Sequence, residues 1–261
     1  KKKESQLIDP KLHPYEVFLY NFEEGMTIKE LKEVFEGLRK GLIEILNNVK
    51  SSKKYKSSQI QRNPLEGINL PKEKQLEVIK EITARLIPET NKYYIAESAH
   101  GFTTGLGPDD ARFTTNYKNK EIGGAFMTAI HEAGHALHFL QLGDDLKRTI
   151  LSGGKQFGLA ESQSRIIENQ IGRSREFWSY CFPVFKETFG ELKNISEDQF
   201  YFALNKVSPG LVRISSDELH YCLHIIIRFE LEVAIFEGKI KVEDIPREWN
   251  KKYEEYIGVA P

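Results

Sequence analysis

The chain has 261 residues and a net charge of −1, from 37 Lys plus Arg against 38 Asp plus Glu. Hydrophobic residues make up 40% and charged residues 29%, which is ordinary for a globular protein. A near-neutral chain has no global attraction for nucleic acid or an anionic membrane, and no apolar run reaches transmembrane length.

In chain order, His13-Pro14-Tyr15 opens a short helix, since Pro suits the first helical turn, and Glu24-Gly25 breaks it. Thr27 with Glu30 three residues on reads as a capping box. A long amphipathic helix follows, with Leu31, Val34, Phe35, Leu38, Leu42, Ile45, Leu46 and Val49 as a core-facing seam. Residues 50–69 are Lys/Ser-rich and read as a solvated loop, their basic charge a surface feature rather than a binding patch. Pro71 begins another helix through Leu76, Ile79, Ile82 and Leu86, which Pro88 ends.

The character then changes. Residues 93–96 and 111–117 are rich in aromatic, β-branched or Thr residues, with Gly105, Gly107, Pro108, Asp109 and Asp110 between them as turn chemistry. A small antiparallel sheet is expected, with an exposed edge able to hold an extended peptide. Phe126, Ile130, Leu137 and Leu140 then recur at helical spacing. Further on, Ser196 with Gln199 caps a helix, Leu219 to Phe236 forms a buried one, and Gly258 follows the last. No internal repeat or low-complexity segment is present. Cys181 and Cys222 are too few for a disulfide framework and are not spaced as a metal pair, which suits a reducing cytoplasm. No signal-peptide pattern opens the chain, which starts at Lys1 without Met; a fragment of a longer protein is expected.

The chemistry concentrates in His131-Glu132-Ala133-Gly134-His135. Two histidines four apart on a helix lie about 40° apart around its axis, so both imidazoles can reach one metal ion. Glu132 is about 100° round from His131, beside the metal rather than on it, where it can take a proton from water. Glu161, on a second helical stretch, offers a third ligand. Two histidines, one carboxylate and an open position form a catalytic rather than a structural zinc pattern. HExxH also arises by chance, so the helical flanks and the downstream glutamate carry the metal reading. His138 shares the helix face and is read as a pocket or core residue, because three protein ligands suffice.

These motifs resemble those of the carboxypeptidase Taq family of zinc metallocarboxypeptidases. Asp110-Ala111-Arg112-Phe113-Thr114 is similar to its D-x-R-x-T, residues 131–135 to its HExxH, Glu161-Ser162-Gln163 to its E-S-Q, and residues 212–217 to its [IV]-R-x-x-A-D. The resemblance implies a mainly α, zincin-type fold with two halves around a deep cleft, related to the angiotensin-converting-enzyme and neurolysin type. It implies stepwise removal of C-terminal residues from peptides, Zn2+ replaceable by Co2+ or Mn2+, and a homodimer. It places Glu132 as the base, His131, His135 and Glu161 on the metal, and Arg213 on the substrate carboxylate. His100, Asp110, Arg112 and Tyr221 join the substrate-binding candidates. The whole chain, 1–261, is then one catalytic region, with a helical segment 1–90 and the sheet plus metal-site helices in 91–261.

Three positions depart from the family pattern: Gly101 replaces Pro in His-Pro-Phe, Ala160 replaces the His before E-S-Q, and Ser216 replaces Ala. None of the three is a candidate metal ligand or the candidate base. Family chains are longer, and a Gly-x-x-Gln motif is expected beyond Pro261. Several residues keep two readings. Arg112 either pairs with Asp109 or Asp110 to fix its strand against the metal helix or contacts substrate. Arg213 either binds a carboxylate or pairs with Asp217 four residues on. His220 and Tyr221 are either near the substrate or structural, and the oxyanion donor is unassigned. An endo-acting oligopeptidase and a catalytically impaired peptide-binding fragment are the rival functions.

Overall fold

The structure is a computed structural model that describes residues 1–60, 63–117, 123–152 and 157–261. In chain order the helices are α1 (Lys2–Ile8), α2 (Pro14–Leu19), α3 (Ile28–Ser51), α4 (Lys53–Ile60), α5 (Lys72–Leu86), α6 (Gly124–Leu140), α7 (Phe157–Arg165), α8 (Arg175–Thr188), α9 (Glu197–Leu204), α10 (Glu218–Phe236) and α11 (Ile245–Tyr256). Strands β1 (Tyr93–Glu97), β2 (Thr103–Gly107) and β3 (Asp110–Thr115) lie between α5 and α6, so the chain is mainly α with one small sheet. Packing divides it into two compact units, Lys1–Gln61 with Lys206–Pro261, and Arg62–Asn205.

In the first unit, local signals set the helix ends. The His13 side chain accepts from Tyr15 N at 3.2 Å, with Pro14 at the first helical position. The Thr27–Glu30 capping box forms in both directions, at 3.2 and 2.9 Å. The core gathers Leu46 of α3 with Leu223, Ile226 and Ile227 of α10 and Tyr253 of α11. The α3 seam is only partly covered: Val34, Leu38 and Ile45 are 60%, 39% and 48% exposed. The solvated loop expected over 50–69 is corrected, because Lys53–Ile60 is helical. Ser52 restarts the helix by accepting from Tyr55 N at 3.1 Å. No residue of α4 is buried, so no apolar period marked it.

In the second unit the strand order is β1-β3-β2. β2 and β3 form an antiparallel hairpin with an irregularity between Gly105 and Gly107, and the expectation that these two glycines are turn residues is corrected, because both lie in β2. The expectation of an antiparallel sheet is corrected for β1, which pairs parallel with β3, Ile95 opposite Phe113. A parallel neighbour requires an intervening crossover, and here β2 supplies it within the loop between β1 and β3. Ala111, Phe113 and Thr115 are 0% exposed, and Thr115 Oγ1 donates to Ala125 O of α6 at 2.7 Å. Beyond α6, the rings of Phe126, Trp178, Phe185 and Phe200 pack tilted or edge-to-face into a core with neighbouring centroids 4.7 to 5.5 Å apart. α6 is thereby held between a sheet and an aromatic core. α5, although continuous in sequence with the amino-terminal helices, belongs to this unit and buries Val78, Ile79 and Ile82 in the same core.

Candidate active site

α6 carries His131, Glu132 and His135, and the buried residues within and beside this stretch include the small Ala129, Ala133, Gly134 and Ala136. Gly134 has a specific cause. A Cβ there would stand 2.7 Å from Ser164 Cα and 3.3 Å from Gln163 O, so only glycine admits the α7 backbone this closely. That approach brings Glu161 of α7 to both histidines. Its Oε2 is 3.2 Å from His135 Nε2 and 3.6 Å from His131 Nε2. The three candidate ligand atoms all lie within 4.8 Å of one another, the one such group among the described residues, and His138 is not in it.

The arrangement fits a divalent cation. Ligands about 2.0–2.1 Å from a tetrahedral zinc stand about 3.3 Å apart, close to the 3.2 and 3.6 Å that separate Glu161 from the two imidazoles. His131 Nδ1 lies 2.9 Å from Glu168 Oε2, which fixes the ring and turns Nε2 to the shared point. Arg165 donates to Glu161 Oε1 at 3.0 Å and to Glu168 Oε2 at 2.9 Å, holding both carboxylates from behind. Burial acts to raise the Glu161 carboxyl, but His135, His131 and Arg165 outweigh it and hold it at about 2. Burial acts to lower the His131 imidazole, and Glu168, with Glu161 and Glu132, raises it above the ordinary range instead. A concentration of carboxylate charge around two imidazoles suits a cation.

Glu132 is 6% exposed. Thr103 Oγ1 of β2 donates to its Oε2 at 2.7 Å. A Cβ on Gly101 would lie 3.1 Å from Glu132 Oε1 and 2.4 Å from Thr128 Cγ2, so a side chain at this departure from the family pattern meets Thr128 directly.

The remaining candidates fall in three places. Asp110 and Arg112 pair bidentately at 3.0 and 2.9 Å. The pair runs along one strand on the side opposite the buried Ala111, Phe113 and Thr115, and Arg112 is exposed. The expected ion pair therefore forms without tying β3 to α6, which corrects that role. Asp109 pairs elsewhere, with Lys92 at 3.4 Å. His100 is exposed, with its Nδ1 2.6 Å from Gly101 O. Arg213 and Tyr221 lie in the first unit, where Arg213 Nη1 donates to Tyr221 Oη at 2.5 Å with the guanidinium over the ring. The alternative pairing of Arg213 with Asp217 does not form. Asp217 caps α10, accepting from Leu219 N and His220 N, and it also holds Ser208 N and His220 Nδ1.

Glu168, Arg165 and Thr103 escaped the sequence reading. A signal existed for two of them: Glu168 is seven residues after Glu161, about 20° round on an α-helix, with Arg165 between. The segment Ile166–Ile171 in fact winds as a π-helix, a feature that concentrates at functional sites. Nothing local pointed to Thr103, which reaches the site from another element.

Comparison with known proteins agrees with this geometry. The profile of the carboxypeptidase Taq (M32) metallopeptidases matches residues 1–261. "Carboxypeptidase 1" of Bacillus subtilis is 38% identical over 251 residues, covering 95% of this chain and 49% of its own length. "Thermostable carboxypeptidase 1" of Thermus thermophilus is 36% identical, covering 95% and 48%. Among solved structures, that of the Pyrococcus furiosus carboxypeptidase, described as "Apo-Mg", superposes with a TM-score of 0.92 at 32% identity, covering all of this chain and 52% of that one. The M32 carboxypeptidase from Deinococcus radiodurans R1 gives 0.90 at 31%, covering 100% and 51%. The chain thus spans about half the length of the relatives it matches.

Proposed function

Because this chain belongs to the carboxypeptidase Taq (M32) metallopeptidase family, we propose that the protein carrying it is a zinc metallocarboxypeptidase, removing residues one at a time from peptide C termini. The observation that carries the reading is the convergence of His131, His135 and Glu161 with Glu132 beside them. Family membership implies a divalent metal; two imidazoles and one carboxylate favour zinc, which Co2+ or Mn2+ can replace. When bound, the cation supplies Lewis-acid polarisation of the scissile carbonyl and lowers the pKa of water towards about 7.

The chain's own residues do the rest. Glu132 accepts the proton of the attacking water and returns it to the departing amine. Glu168 and Arg165 keep His131 and Glu161 oriented. Arg213 is our candidate for the substrate's free carboxylate, because a guanidinium offers a permanently charged planar fork. Its support is that Tyr221, not Asp217, holds it. His100, Asp110, Arg112 and Tyr221 complete the proposed substrate-binding set. We also propose a cytoplasmic homodimer, on the family resemblance and the scarcity of cysteine. Among the described residues no helix is long and apolar enough to cross a membrane.

Mass spectrometry of a free-acid peptide incubated with the metal-loaded, full-length protein tests the reading. A ladder losing one C-terminal residue at a time is expected, while Glu132→Gln keeps metal and fold and loses nearly all turnover. Internal cleavage products would overturn the exopeptidase assignment, and wild-type turnover in the Gln variant would remove Glu132 as the base.

A further inference from the structure

Glu132 makes contacts that the cation site does not require. A glutamate on a helix has three side-chain torsions, and a general base works only when one oxygen is held within hydrogen-bond reach of the proton it takes. Glu132 is nearly buried, so its carboxylate needs a donor from the protein. Thr103 Oγ1 supplies it, 2.7 Å from Oε2, a length typical of a hydroxyl on a carboxylate. The same hydroxyl lies 3.0 Å from the backbone carbonyl of Glu132, so its single proton sits between two acceptors of one residue, with the carboxylate the nearer.

The donor itself is rigidly placed. Thr103 opens β2 and pairs with Phe113 of β3, which is 0% exposed. The turn leading into β2 is tied to Thr114, with Thr114 N donating to Phe102 O at 3.0 Å and Phe102 N to Thr114 Oγ1 at 3.2 Å. A hydroxyl on a paired strand holds a geometry that one on a loose loop would not.

We propose that Thr103 is a positioning residue for peptide hydrolysis: its hydroxyl pins Oε2 of Glu132 and so presents Oε1 to the attacking water. The proposal rests on Glu132 acting as the base. It assigns part of the catalytic machinery to the edge strand of the sheet, outside both metal-site helices.

The test uses the metal-loaded, full-length protein in three variants. Thr103→Val keeps the branched shape and strand preference but loses the hydroxyl. Its kcat should fall about 10- to 100-fold, with KM within about twofold, the size of effect that a small misplacement of a catalytic group produces. Metal stoichiometry and melting temperature should stay at wild-type values. Thr103→Ser should recover most of the turnover and Thr103→Ala should not, a contrast between two variants that both lack the threonine methyl and differ by the hydroxyl. A crystal structure of Thr103→Val should show the Glu132 carboxylate rotated away from its wild-type position. Wild-type kcat in Thr103→Val, equal activity of Ser and Ala variants, or an unmoved Glu132 would each overturn the proposal. A wild-type protein that binds metal but hydrolyses no peptide would sink the peptidase reading instead, and the Glu132 position in the Thr103→Val crystal would still decide the contact.

Discussion

Two carboxylate contacts of equal length carry different weight because of where they sit. Arg112 grips Asp110 at 2.9 Å, but both face solvent, where water competes for each partner. Glu168 meets His131 at the same distance with only 13% of its side chain exposed. Arg112→Ala should therefore leave the melting curve where it is, and a clear drop in melting temperature would show that the pair is structural after all. Glu168→Gln should weaken metal binding about 10- to 100-fold, as loss of an outer hydrogen bond to a ligating histidine does. Competition with a chelator measures it, and unchanged affinity would release Glu168 from that role. Arg213→Ala tests the proposed carboxylate contact. A charge-assisted bond is worth roughly 1.5–3 kcal/mol, or about 10- to 150-fold in kcat/KM on free-acid peptides. C-terminally amidated peptides, already poor substrates, should lose almost nothing. Equal losses on both would place Arg213 in the structure rather than on the substrate.

Between elements, the spacing of α6 and α7 decides whether a site exists at all. The histidines belong to one helix and Glu161 to the other, and the helices meet where Gly134 lacks a side chain. The atom that a Cβ would strike is backbone, Ser164 Cα at 2.7 Å, which cannot swing aside as a flexible side chain could. Gly134→Ala should push α7 away, costing about 1–3 kcal/mol of stability through overpacking and weakening metal binding in parallel. Thermal unfolding and metal titration of the same sample check both, and wild-type values in the two would contradict this account of the helix contact. Gly37 on α3 is the control: nothing lies within 4 Å of its Cβ position. Gly37→Ala should stabilise by up to about 1 kcal/mol, because only helix propensity changes.

At the scale of the molecule, acid should weaken the first unit through one buried histidine. His224 of α10 is 0% exposed, its Nδ1 2.9 Å from Tyr253 Oη. Burial, then the positive charge of Arg228, His220 and Arg213, lowers its pKa from 6.5 to about 4, with Asp217 opposing. The unfolded chain thus takes up this proton at higher pH than the folded one. The contribution of neutral His224 is complete above about pH 6.5, falls as pH drops towards 4, and levels off below it. The loss is up to about 3 kcal/mol for a shift of this size. The two tryptophans separate the units: Trp249 stacks on Tyr253 at 4.7 Å in the first, and Trp178 lies in the aromatic core of the second. Denaturation at pH 7 and pH 4.5, followed in Trp178→Phe so that Trp249 alone reports, should show this loss of stability. A flat profile over that window would refute it.

What the sequence determined by itself is what repeats within a few residues. The capping boxes at Thr27 and Ser196, the ends of α5 at Pro71 and Pro88, and the placing of His131, Glu132 and His135 on one helix all follow from hydrogen bonds and rotation inside a single element. Even there a short helix without an apolar period, α4, left no pattern to read. The tertiary structure decided what depends on which faces meet. It set β1 parallel to β3, turned Arg112 away from α6, left part of the α3 seam exposed, and brought Glu168 and Thr103 to His131 and Glu132. Each of these is a contact between residues from 18 to 37 apart, or the exposure left where such a contact is missing. Spacing along the chain does not specify it, because chain packing and not helix or strand period chooses the partner.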